Sequence, residues 1–286
     1  MRAAPRRTEG FTLIEVLVAM AILTVILAVV LSTSLEALSM QTRTERDVNL
    51  DAGLRRVTQI LTQDIRNTAY GLVTSTPYTS TASAISLVRA EGGAVHPVTA
   101  GSGVFKNATN TTLITPLSFK WAKDTRFALL NAAGGTATVL TLSSAVTGST
   151  GSAVLPHTQV NTVCYAEGST LAQPVQVIGY NYDAPSQTLW RQVQDDLGTR
   201  TVPLAYGVSA FSLAYIDTSG ISYATLAGLS NPNDLARVSV SVTLRANARG
   251  GVVTRTVSSG ADMPRMFTES QRPLRYLPPG TAQTCP

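Results

Sequence analysis

Histidine and cysteine are scarce in this 286-residue chain, with two of each, and charged residues make up only 14% of it. His96 and His157 are distant from each other, as are Cys164 and Cys285, and none of the four shows the spacings that metal ligands adopt, so a zinc or other metal centre is not expected. A Gly-rich phosphate loop, a His-Glu zinc helix and a Gly-x-Ser-x-Gly elbow are all missing. No cofactor site or catalytic constellation is legible, and the chain reads as a non-enzyme. His96 and His157 each adjoin a proline, Pro97 and Pro156, and are expected in solvent-exposed loops. Asp195-Asp196 ahead of Gly198 offers two carboxylates where calcium wants six or more oxygens, so a polar hairpin turn is expected there. No Lys/Arg run occurs, and the formal charge of +5 falls to about +3 without residues 1–10. Nucleic acid as a partner is therefore only weakly supported.

Against this sparse chemistry stands one long apolar run. From Phe11 to Leu31 the chain is about 21 residues of mostly Leu, Val, Ile and Ala, enough to cross a hydrocarbon core of roughly 30 Å. Glu15 alone interrupts it, and a carboxylate there costs roughly 2.5 to 3.5 kcal/mol unless it finds a partner. Arg2, Arg6 and Arg7 precede the run, as the positive-inside rule asks of a cytoplasmic flank. An ordinary secretory signal would carry a shorter apolar core and a small-residue cleavage site, and Ser32-Thr33-Ser34-Leu35-Glu36 supplies none. A plain signal anchor accounts for the arginines and the length, but not for Gly10 and Glu15 flanking Phe11.

The stretch Gly10-Phe11-Thr12-Leu13-Ile14-Glu15 resembles the prepilin N-terminus shared by type IV pilins and type II secretion pseudopilins. The resemblance implies that prepilin peptidase cuts between Gly10 and Phe11, that the new amino group of Phe11 is methylated, and that Glu15 sets axial register by pairing with a neighbouring subunit's terminal ammonium. It also implies a head outside the cytoplasm, where disulfides form. Cys164 and Cys285 are expected to pair there, closing about 120 residues and restricting the unfolded chain by about 4 to 5 kcal/mol in the loop-entropy picture. Two free thiols are the alternative. Major pilins often close a much shorter loop.

No proline occurs between Pro5 and Pro77, so the helix is expected to continue to Ala69–Gly71. Leu50, Leu54, Val57, Leu61 and Ile65 fall on one helical face, while Arg55, Arg56, Gln59, Gln63, Asp64 and Arg66 fall largely off it. After Gly71 the period changes to two. Ala137–Leu142, Val175–Tyr182, Phe211–Ile216, Arg237–Leu244 and Val252–Val257 read as strands, with Ile85–Val88, Thr112–Ile114 and Phe127–Leu130 as weaker candidates. Trp190 and Tyr215 are expected in the core, and the proline-rich tail after Pro264 is expected to be extended. The expected fold class is α+β: leader 1–10, membrane helix 11–31, stalk helix 32–70, and an antiparallel β-rich head over 71–286.

The runs Tyr182–Arg191, Leu204–Tyr215 and Arg237–Arg245, with the helix end Gln63–Gly71, resemble the head of PilW-type minor pilins. The J-type minor pseudopilin has a similar layout. Three functions follow: a minor pilin helping to prime assembly near a fibre tip, in support of adhesion, twitching motility or DNA uptake; a minor pseudopilin of type II secretion; or a membrane-anchored enzyme or receptor. Glu15 argues against the tip pseudopilin class that lacks this glutamate. The implied partners are prepilin peptidase, other pilins through the N-terminal helix, and the inner membrane before assembly, with the fibre at the cell surface as destination.

Overall fold

The computed structural model describes residues 12–68, 73–74, 77–91, 95–98, 108–115, 118–131, 136–161, 170–195, 198–230, 232–248, 251–264 and 275–276. One helix, α1, runs from Leu13 to Arg66. Its 54 residues span about 81 Å at 1.5 Å per residue. It ends a few residues before the expected Ala69–Gly71. The Thr68 amide bonds the Ile65 carbonyl at 3.2 Å, and the Thr68 hydroxyl bonds the Asp64 carbonyl at 3.1 Å, tightening the last turn.

Strands follow in chain order: β1 Val73–Thr74, β2 Ala84–Ala90, β3 His96–Pro97, β4 Ala108–Thr115, β5 Phe119–Trp121 and β6 Arg126–Asn131. Next come β7 Thr136–Thr141, β8 Val146–Gly148, β9 Gly151–Asn161, β10 Thr170–Asp183, β11 Thr188–Asp195 and β12 Gly198–Tyr206. The last are β13 Val208–Asp217, β14 Ser222–Tyr223, β15 Leu235–Ala248, β16 Gly251–Asp262 and β17 Arg275–Tyr276. A long N-terminal helix followed by mostly antiparallel sheet makes the chain α+β. All eight expected strands are present; β7, Thr136–Thr141, is shifted by one residue from the expected Ala137–Leu142, and the others extend beyond their expected bounds. The two-residue strands β1, β3, β14 and β17, and the longer β5, β8, β9, β11 and β12, match none of the expected strands.

The chain divides into two compact units, Met1–Leu50 with Ala246–Val253, and Asp51–Arg245 with Thr254–Pro286. In the first, helix residues from Leu13 to Leu38 lie open, with Leu13 at 84% exposure. Among the described residues this is the one helix long and apolar enough to cross a membrane.

In the second unit β10 is the spine. Val177–Asp183 pairs with β11, Val175–Asn181 with β2, and Thr170–Val175 with β6, all antiparallel. β6 in turn pairs with β7, against which β17 lies parallel. β6 is buried on both faces. Phe127 and Leu129 point into one cluster with Leu113, Trp121, Leu140 and Leu155, while Ala128 and Leu130 point into another with Val88, Val139, Val175 and Val177. A second sheet, β14-β13-β15-β16, buries Phe211, Leu213 and Tyr215 opposite Val242, Val240 and Val238. Tyr215 directs its hydroxyl to the carbonyls of Thr81 and Ala84, at 2.8 and 3.0 Å, tying this sheet to the start of β2. Trp190, expected in the core, is only half-buried.

Candidate functional site

The helix opens on Thr12, which is joined to Glu15 in a reciprocal cap. The Thr12 amide and hydroxyl each donate to Oε2 of Glu15 at 2.9 Å, and the Glu15 amide donates back to the Thr12 hydroxyl at 3.4 Å. The spacing Thr-x-x-Glu is that of a capping box, which satisfies helix-start amides that would otherwise be orphaned. Leu13, Ile14 and Leu17 around this carboxylate are 84%, 71% and 63% exposed. An acid therefore sits at the start of a bare apolar helix, and among the described residues its hydrogen-bond partner is Thr12 and no cation pairs with it.

Residues 5–31 match the prokaryotic N-terminal methylation motif. This prepilin-type motif implies processing by a prepilin peptidase and assembly with other pilins, and it supports a type IV pilin or pseudopilin-like protein. The match stops before the head. No curated protein matches the chain. The single apolar helix near the N-terminus is consistent with membrane anchoring. Gly10 and Phe11, the expected cleavage and methylation positions, and Cys164 and Cys285, the expected disulfide, lie outside the described residues.

A second acid lies at the other end of α1. Asp64 was expected off the apolar face, but it is 6% exposed and shares that face with Leu54, Val57, Leu61 and Ile65. Three residues after Leu61, the helical repeat returns a side chain to the same face. Burying a carboxylate requires partners, and the sheet supplies them. Arg191 donates from Nη2 at 2.9 Å and from Nε at 3.1 Å, Tyr180 donates its hydroxyl, and Arg89 stands at 3.9 Å. Tyr180 and Arg191 are register partners on β10 and β11, so they share one sheet face. Burial, and after it the Asp64 charge, pushes the Tyr180 phenol well up, so it remains a donor at every physiological pH. None of Arg89, Tyr180 or Arg191 stood out in the sequence. The available signal was an acid at a stripe position of a helix whose other stripe members are apolar.

The two histidines contradict their expected exposure. His96 is 1% exposed and His157 3%. Both lie on strands: Pro97 ends the two-residue β3, and Pro156 sits on β9 beside the register shift between Ala108 and Asn110, a place where a strand tolerates proline. Alternation along β9 turns Ala153, Leu155 and His157 inward and Ser152, Val154 and Thr158 outward. Burial pulls both imidazoles below the ordinary histidine range, while the Gln159 carbonyl partly offsets this at His157. Among the described residues no group of three or more His, Cys, Asp or Glu gathers as for a metal. Asp195 closes β11 and Gly198 opens β12, as a hairpin turn requires. Asp195 is buried and bonded to Arg200.

Proposed function

We propose that this chain is a minor subunit of a type IV pilus, stored in the inner membrane and drawn into the fibre through α1. On this reading residues 1–10 are a leader, cleavage falls between Gly10 and Phe11, and Phe11 to Leu31 exchanges lipid contacts for helix contacts on assembly. Glu15 sets axial register by meeting the terminal ammonium of a neighbour, since two opposite charges are tolerable together in a low-dielectric bundle where each alone is costly. The head reaches the periplasm and then the cell surface, with Cys164 and Cys285 paired. The observation that carries the reading is the prepilin-type motif at residues 5–31, together with a helix whose apolar side chains from Leu13 to Leu38 are all exposed. The large β-rich head favours a minor subunit, with its loops free for partner contacts.

The same N-terminus suits a minor pseudopilin of type II secretion, and the two readings separate by the fibre that contains the subunit. Intact mass and N-terminal sequencing of protein from sheared surface fibres and from membranes test both. A chain beginning at methylated Phe11 in the pilus fraction is expected. An uncleaved chain confined to membranes would overturn assembly and reopen a receptor or enzyme reading.

A further inference from the structure

The chain's only two histidines lie at opposite ends of one column of rings, buried except at the half-buried Phe119. His96 stacks 4.6 Å from Phe119 and 5.8 Å from Trp121; Phe119 and Trp121 are 4.7 Å apart; Trp121 lies 6.1 Å from Phe127; and Phe127 lies 6.2 Å from His157. The column runs through the cluster built from Leu113, Leu129, Leu140, Val146 and Leu155. Nδ1 of His96 is buried without a hydrogen-bond partner. His157 directs Nδ1 to the Gln159 carbonyl at 2.5 Å and Nε2 to the Thr111 hydroxyl at 3.3 Å.

Charged groups on the surrounding elements do not favour an imidazolium. β4, β7 and β8 carry none, and β9 has only His157 itself. Lys120 is exposed on β5, Arg126 is half-buried at the start of β6, and the Thr170–Pro174 stretch of β10 has no charge. The carboxylates on flanking described segments are Asp124, exposed on the turn before β6, and Glu91, half-buried with its amide on the Pro174 carbonyl at 3.2 Å. Burial is the leading influence on both rings.

We propose that this column makes the β4–β9 part of the head an acid-operated opening unit, held shut by two neutral histidines and released when they are protonated. The reading does not depend on the pilus assignment, because it needs only the head. Since both folded values lie below the unfolded one, near 6.5, the closed state binds fewer protons than the open state. Stability from this source is complete above pH 6.5 and is lost as pH falls from 6.5 toward each folded value. Within that interval each histidine raises the open-to-closed ratio about tenfold per pH unit, and two together raise it about a hundredfold.

The test uses the full chain in detergent micelles. Tryptophan emission, amide exchange corrected for intrinsic rate, and the imidazole proton resonances are followed from pH 7.5 to 4. Expected are exposure of Trp121 and loss of protection in Ala108–Thr115 and Gly151–Asn161 below pH 6.5, with β10 and β11 still protected. The double variant His96→Phe, His157→Gln should stay flat over the same range. Retained protection of both segments at pH 4, or an unchanged transition in the double variant, would overturn the proposal. Should the double variant not fold, the wild-type resonances decide: midpoints at or above 6.5 for both histidines refute it, and midpoints below 6.5 that coincide with the loss of protection support it.

Discussion

Replacing Asp64 by Ala is the sharpest perturbation of the helix–sheet junction. The carboxylate side chain is 7% exposed and its main partner Arg191 23%. Removing one member of a buried pair typically costs about 3–5 kcal/mol, because a desolvated charge is left behind. Water reaches part of the Arg191 guanidinium and Tyr180 can still accept from its Nε at 3.1 Å, so the expected loss is about 2–4 kcal/mol. Arg89, at 3.9 Å and 44% exposed, adds under about 0.5 kcal/mol. Against a domain stability of about 5–15 kcal/mol the change is large. The pair Asp64→Leu, Arg191→Met removes both charges but strands the buried Tyr180 hydroxyl, at about 1–3 kcal/mol, so it should recover only part of the loss. Urea unfolding of the full chain in micelles at pH 7, followed through Trp190 beside Arg191, measures all three. A cost below about 0.5 kcal/mol for Asp64→Ala, or a double variant no better than the single, would refute the buried-pair account.

Gly207 has φ +68°, and a Cβ there would stand 2.8 Å from the Arg245 carbonyl oxygen, so Gly207→Ala should cost about 1–3 kcal/mol in the same unfolding assay. Leu61→Ala removes a fully buried side chain from the helix face and should cost about 2–5 kcal/mol by the same measure. Glu15→Ala should still be cleaved and held in membranes but be depleted from fibres, as immunoblots of sheared fractions would report; normal incorporation would remove the register argument. A bulky residue at position 10 should leave the precursor uncut, and cleavage at the same bond in such a variant would count against the peptidase assignment.

The clearest strand in the sequence is one whose two faces differ in burial. Val238, Val240, Val242 and Leu244 alternate with Ser239, Ser241 and Thr243, and β15 runs through all of them. β12 escaped notice because it lies exposed along nearly its whole length, so Gly198–Tyr206 carries no burial period. β9 escaped because its inward set includes Ala153 and His157, and Pro156 interrupts it. Both histidines are buried although each adjoins a proline. Proline restricts φ and removes a donor, and neither property fixes which way the neighbouring side chain points.

Glu15 and Asp64 pose the same physical problem at the two ends of one helix, and only the first was recognised. Glu15 stands among aliphatic residues on every side, so its oddity needs no knowledge of which face is buried. Asp64 stands among Arg55, Arg56, Gln59, Gln63 and Arg66, where an acid looks ordinary until periodicity assigns it to the row of Leu54, Val57 and Leu61. The solutions differ as well. Asp64 has a guanidinium and a phenol brought to it by strands that pair in register far along the chain. Glu15 has a threonine three residues away, which can donate hydrogen bonds but cannot neutralise a charge. An isolated carboxylate on a membrane-length helix remains costly with hydrogen bonds alone. If the head's way of settling a buried acid applies to the helix start, the missing cation must come from outside the described chain. On the proposed pilus reading, that cation is the N-terminal ammonium of a neighbouring subunit.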